Sequence, residues 1–133
     1  FFIRKDRIRC ITLNADLPAS QQRIILLHEF GHAVLHGNTA TECAFHDFEL
    51  FDGAAQFEYE ANIYAAEHDM SDEEVLAVLN EDNSFFGAAR KLRVPPELLD
   101  FKFRVMKRKG YALNPPLYAD SCFMKNIDQP NRF

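Results

Sequence analysis

The sequence has few cysteines, and their pattern excludes a disulfide-stabilised framework. Cys10, Cys43 and Cys122 are odd in number and form no CxxC pair. Small secreted domains that depend on disulfides usually carry an even number of cysteines. We therefore expect a reducing, cytoplasmic setting.

Long apolar runs and tryptophan are also absent. No stretch reaches the roughly 20 apolar residues that a membrane helix needs, and no basic segment is followed by the apolar run of a signal peptide. We expect no membrane association. The chain has 133 residues, of which 47% are hydrophobic, with 13 Phe and no Trp. This composition predicts one domain with a phenylalanine-rich core.

Positive charge is missing from the middle of the chain. No Lys or Arg occurs between Arg23 and Arg90, whereas most of the acidic residues lie there, and residues 90–109 are rich in Lys and Arg. One interpretation is an acidic surface that favours a basic partner. The other is that the acidic and basic parts of the chain face each other.

Hydrophobic periodicity predicts an α+β fold, in which a small N-terminal β-sheet or hairpin packs on a mainly helical core. Residues 71–74 (SDEE) have the pattern of a capping box at a helix start. We expect a single domain over 1–113, with strands within 1–13, metal-site helices over 18–36 and 57–69, further helices over 71–109, and an irregular tail over 114–133. Residues 38–55 have no clear period and are predicted to form a loop with a short strand near 43–45.

The run LLHEFGHAVLH places an HExxH motif on the first of these helices, which is predicted to be buried. His28 and His32 are four residues apart, so both imidazoles lie on one helical face and can reach one Zn²⁺. Glu29 projects about 100° from His28, where it can act as a general base beside the metal. Gly31 allows a second helix to approach closely at this point. His36 lies about 12 Å from His28 along a straight helix, too far to share the ion, so we expect it to be structural, substrate-facing or supporting.

The third ligand is expected on a second helix, within QFEYEANIYAAEHD. The candidates are Glu58, Glu60, Glu67 and His68. Glu60 shares an apolar stripe with Phe57 and Tyr64, whereas Glu58 and Glu67 are expected to be solvated. Periodicity therefore favours Glu60, with His68 as a rival on the same face.

These motifs resemble the ImmA/IrrE family of metallopeptidases, and the resemblance implies that the helical core is zincin-like, with HExxH on a buried helix. The resemblance extends over about residues 1–110 and depends on HExxHxxxH followed by EANIYAA. It implies that His28, His32 and the glutamate before Ala-Asn, Glu60, bind zinc and that Glu29 is the catalytic base. Two histidines and a carboxylate also suit Mn²⁺ or Fe²⁺. The chain departs from the family where Glu67, His68 and Asp69 replace a more apolar run.

The resemblance implies a zinc-dependent endopeptidase of a phage, mobile element or stress response. Its expected substrate is a basic helix-turn-helix repressor, whose cleavage relieves repression of transcription. Transition-state stabilisation is left open among His36, His46, Tyr64 and His68. An alternative is a non-hydrolytic antirepressor that sequesters the repressor and uses metal only structurally. A further alternative is direct DNA binding by residues 90–109, although Phe101, Phe103 and Val105 are expected to pack inward there.

Overall fold

The computed structural model describes residues 2–5, 8–37, 51–81 and 84–114. This part of the chain is mostly helical, as predicted. Its elements in chain order are β1 (Phe2–Lys5), β2 (Ile8–Ile11), α1 (Ala19–Leu35), α2 (Phe51–Asp69), α3 (Asp72–Glu81), α4 (Phe85–Leu92) and α5 (Pro96–Arg108). The predicted strand near 43–45 and the predicted tail beyond residue 114 lie outside the described residues, and the single domain over 1–113 stays a prediction.

The two strands form an antiparallel hairpin that rests on α1. Phe2 pairs with Ile11 and Lys5 with Ile8, and both strands contact α1. The guanidinium of Arg9 donates a hydrogen bond to the carbonyl of Ala33. The hairpin is thereby fastened to the C-terminal half of α1, where the histidines lie.

The second metal-site helix is longer than predicted. It begins at Phe51, six residues before the predicted start at residue 57. Gly53 suggested a loop, but a single glycine costs a helix only about 1 kcal/mol. The following Ala54, Ala55 and Gln56 are good helix formers, so the helix continues through this glycine.

The core lies among α2, α3, α4 and α5 and receives Ile24 from α1. Phe101 and Phe103 are buried, as predicted, whereas Val105 is only half-buried. The expectation of a phenylalanine-rich core is only partly met. Most buried side chains among the described residues are aliphatic or small: Ile24, Ala65, Ala66, Met70, Val75, Ala88, Leu98, Leu99 and Met106.

An ionic cluster joins α2, α3 and α5. Lys102 is almost fully buried, and its Nζ lies 2.7 Å from both Glu67 Oε1 and Asp72 Oδ1. Lys109 Nζ adds contacts of 3.3 Å to Glu67 and 3.0 Å to Asp72. Hydrogen bonds from Lys102 and then Lys109 lower the pKa of Asp72, although burial opposes the shift. Basic and acidic parts of the chain therefore do face each other at this junction.

Candidate metal centre

Three histidines lie at four-residue intervals along one face of α1, with His28 and His32 inside the helix and His36 as the capping residue that follows its last turn. His28 and His36 are buried and His32 is half-buried. The ring centroids are 4.7 Å apart for His28 and His32 and 5.3 Å apart for His32 and His36. The Nε2 atoms of His28 and His32 face each other at a distance of 3.1 Å. The α-helical spacing alone explains this alignment, because residues four apart are neighbours on a helix surface.

The second helix approaches α1 closely beside this row. A Cβ atom added to Gly31 would lie 3.1 Å from both Cβ and Cδ1 of Tyr64. The close packing predicted at Gly31 is therefore present. It brings side chains of α2 within reach of the α1 histidines.

Glu58 of α2 completes a group of three donors. Its Oε2 lies 3.2 Å from His28 Nε2 and its Oε1 lies 3.1 Å from His32 Nε2. All three ligand atoms lie within 4.8 Å of one another. Burial alone would raise the pKa of Glu58, but hydrogen bonds from His28 and His32 and the electrostatic attraction of these two residues outweigh it and hold that pKa far below its usual value.

The spacing of these donors fits a small cation. Ligand atoms at 2.0–2.1 Å from a tetrahedral zinc are separated by about 3.3 Å, close to the 3.1 Å between the two imidazole nitrogens and to the contacts with Glu58. Two imidazoles and one carboxylate would supply three protein ligands to such an ion, the number that catalytic zinc sites use. His28 Nδ1 is buried without a hydrogen-bond partner in the described part of the chain.

The predicted third ligand, Glu60, is not in this group. Its Oε2 lies 2.8 Å from His36 Nε2, and its side chain is 39% exposed. Hydrogen bonds from His36 and then Gln56 lower the pKa of Glu60. The expectation that Glu60 turns toward the histidine pair and Glu58 toward solvent is thus corrected, because the structure reverses the two carboxylates.

The face that α2 turns toward the protein interior explains why Glu58, and not Glu60, lies beside the histidine pair. Ala61, Asn62, Ala65 and Ala66 are fully buried, and Glu58 precedes them at the i, i+3, i+4, i+7, i+8 spacing of one helical face. The aromatic residues Phe57 and Tyr64 instead lie to one side of this face and indicated the wrong stripe. Small residues at helical spacing were therefore the signal that pointed to Glu58.

The remaining predicted residues occupy different surroundings. Glu29 follows His28 on α1 and is half-buried. The ring of Tyr64 stacks on His68 with centroids 3.9 Å apart, and His68 Nδ1 donates to the carbonyl oxygen of Tyr64 at 2.9 Å. His68 is exposed and is not part of the donor group. His46 lies outside the described residues.

The HExxH helix and a carboxylate from the neighbouring helix define a candidate metal centre of the two-histidine, one-carboxylate type. A family model described as the IrrE N-terminal-like domain, Peptidase_M78, matches residues 2–104. The chain belongs to this family, as the sequence resemblance predicted, and the match supports a metallopeptidase type of function. No curated protein and no solved structure matches the chain. Among the helices that the structure describes, none has both the length and the apolar character needed to span a bilayer.

Proposed function

We propose that the chain is a zinc-dependent endopeptidase with a zincin-like active site. The observation that carries the proposal is the convergence of His28, His32 and Glu58 at separations close to those around a tetrahedral zinc. The Peptidase_M78 match supports it independently. Mn²⁺ or Fe²⁺ would suit the same donors, so the native ion is part of the test.

Each residue has a defined role in this proposal. Zinc, when bound, lowers the pKa of water and polarises a carbonyl oxygen. Glu58 and the two histidines would hold the ion, and Glu58 would bring one negative charge that partly balances it. Glu29 accepts the proton of the attacking water and transfers it to the leaving nitrogen of the peptide. Its place next to His28 on the same helix positions the base without making it a ligand.

We propose a basic helix-turn-helix repressor as the substrate, in the cytoplasm. The family resemblance and the lack of Lys and Arg between Arg23 and Arg90 support this assignment. The opposite role, DNA binding by residues 90–109, loses support because Lys102 and Lys109 are paired with Glu67 and Asp72. Electrostatic attraction to a basic substrate should weaken as salt is added.

The sharpest test separates metal binding from chemistry. We expect Glu29→Gln to bind zinc like the wild type and to cut a co-expressed repressor at least about 100-fold more slowly, since general-base catalysis contributes roughly 10²–10⁴-fold. His28→Ala should lose both zinc and activity. Mass spectrometry of the partner is the readout, and Glu73→Gln, at an exposed position of α3, is the matched control.

Two outcomes would contradict the proposal. Cleavage by Glu29→Gln at the normal rate would remove the base assignment. A partner that stays intact while it remains bound to the wild-type chain would support the alternative, a non-hydrolytic antirepressor.

A further inference from the structure

A chain of three side chains leads away from the candidate metal centre. His32 Nδ1 lies 3.1 Å from His36 Nδ1, and His36 Nε2 lies 2.8 Å from Glu60 Oε2. Gln56 Nε2 donates to the other oxygen of Glu60 at 2.7 Å. Each of the two rings thus uses both of its nitrogens, and the chain ends on a carboxylate at the protein surface.

The centre of this chain is enclosed. His36 is only 4% exposed, and the ring of Phe57 packs against it with centroids 4.4 Å apart. A buried imidazole is held in one orientation by such packing. The direction of its two nitrogens is then set by the partners at each end.

We propose that His36 and Glu60 are positioning residues that fix His32 in the tautomer able to bind the metal. The Glu60 carboxylate can only accept, so His36 Nε2 carries the proton and donates it. The other nitrogen of a neutral His36, Nδ1, then accepts from His32 Nδ1–H. When a metal ion takes the place of the contact between His32 Nε2 and Glu58, this leaves the lone pair of His32 on Nε2, the nitrogen that faces His28 and Glu58.

The reverse order of protons is incompatible with the metal centre. If His36 Nδ1 carried a proton, it would donate the hydrogen bond and His32 Nδ1 would accept it. The ring proton of His32 would then lie on Nε2. A protonated Nε2 cannot be a ligand. The ring protons are therefore placed in the same way whether they are assigned from the Glu60 carboxylate or from His32 Nε2. Hydrogen bonds of this kind orient histidine ligands and raise their basicity.

The two ligand histidines differ in this respect. His28 Nδ1 is buried with no hydrogen-bond partner among the described residues, whereas His32 has a partner that is itself held. The inference rests on the proposed metal site, and it assigns to Glu60 a role different from that of a ligand.

The first experiment reads the tautomers directly in the full chain. Long-range ¹H–¹⁵N NMR correlations of the histidine rings should show His36 as the Nε2–H form and His32 as the Nδ1–H form when zinc is bound. His36 should keep the same form without metal, because Glu60 is present in both states. A zinc-loaded protein in which His36 carries its proton on Nδ1 would overturn the proposal.

The second experiment measures zinc affinity by chelator competition, with the Co²⁺ absorption spectrum as a check on ligand geometry. Loss of an outer hydrogen-bond partner typically costs about 10–100-fold in metal affinity. We expect Glu60→Ala and His36→Leu to lower zinc affinity at least tenfold, while the melting temperature of the metal-free protein stays within a few degrees. Glu60→Gln should lose less, because the glutamine carbonyl can still accept from His36.

Matched variants separate positioning from packing. His36→Gln keeps a donor and an acceptor and should recover most of the affinity that His36→Leu loses, and Glu73→Gln should change nothing. Equal zinc affinity in His36→Leu, Glu60→Ala and the wild type, or equal losses in His36→Gln and His36→Leu, would overturn the proposal. A wild-type chain that binds no metal would instead contradict the proposed function.

Discussion

At the scale of single residues, the sequence indicated that His28 and His32 lie side by side, but it did not indicate that Glu58 lies beside them. His28, Glu29 and His32 lie within one turn and a half of a helix, so their relation follows from helical geometry alone. The third carboxylate depends on which face α2 turns toward α1. In the rotation that the structure shows, Ala61 and Ala65 are fully buried, whereas the aromatic side chains were the more conspicuous signal in the sequence.

The exchange of the two carboxylates leads to a direct prediction. We expect Glu58→Gln to lower zinc affinity by more than the roughly 100-fold that marks the upper range for an outer contact, because it removes a ligand charge. Glu60→Gln should fall well short of that loss. Isothermal titration with zinc measures both, and equal losses in the two variants would contradict the assignment of Glu58 as the ligand.

At the scale of elements, local signals predicted helix ends well. Ser71 and Glu74 form the capping box that SDEE indicated, with Glu74 N–H donating to Ser71 Oγ at 3.1 Å and Ser71 N–H donating to Glu74 Oε2 at 2.9 Å. Such signals act within four residues and survive any tertiary arrangement. The start of α2 was missed because Gly53 is ambiguous without its tertiary context.

The contact between α1 and α2 at Gly31 leads to the prediction that Gly31→Ala lowers zinc affinity with little effect on stability. Gly31→Ala gains about 1 kcal/mol in helix propensity, but the new methyl group would lie 3.1 Å from Tyr64 Cβ, an atom fixed to the backbone. We expect the helices to move apart by a few tenths of an ångström. The free energy of unfolding should then change by less than about 1 kcal/mol, while zinc affinity falls several-fold.

Thermal melting and zinc titration check this expectation. Ala77→Gly, at an exposed position of α3, measures the propensity difference without the contact. Unchanged zinc affinity in Gly31→Ala would show that the donors do not depend on this close approach.

The ionic junction of α2, α3 and α5 predicts a pH dependence. The pKa of Asp72 is lowered in the folded state by Lys102 and Lys109. The ionised carboxylate of Asp72 therefore stabilises the folded protein above the unfolded pKa of about 3.9. This stabilisation is lost as pH falls through the folded pKa. Asp72→Asn should cost about 1–2 kcal/mol at pH 7. The difference from the wild type should shrink as pH falls below about 4.

Urea denaturation at several pH values measures this difference, with Glu73→Gln as the control in the same helical turn. A deficit of Asp72→Asn that stayed constant down to pH 3 would show that the charge of Asp72 is not what stabilises the junction.

At the scale of the whole molecule, the mainly helical fold and the family were predicted from the sequence. The sequence did not predict what the acidic and basic parts of the chain would face in the folded protein. Composition showed that acidic and basic parts were separated along the chain. Whether they face a second protein or each other depends on long-range packing, and α5 settles it for Lys102 by placing its amine between Glu67 and Asp72. The excess of phenylalanine likewise did not say which rings would be buried.

The proposed metal centre should also stabilise the whole fold when it binds zinc. Its donors come from α1 and α2, so the unfolded chain cannot present them together, and binding to the folded state alone adds about 2.7 kcal/mol at a free zinc concentration 100 times Kd. We expect zinc to raise the melting temperature by several degrees, equally in the wild type and Glu29→Gln, and a chelator to reverse it. A melting temperature that does not respond to zinc would contradict a site built from both helices.

The burial of Lys102 has a practical consequence for chemical labelling. An amine enclosed at the α2–α3–α5 junction cannot meet an acylating reagent in the native protein, whereas the exposed Lys91 and Lys107 can. Reaction at position 102 would therefore report the moment at which the junction opens. Acylation of Lys102 can therefore be used to follow unfolding of the junction without an added probe.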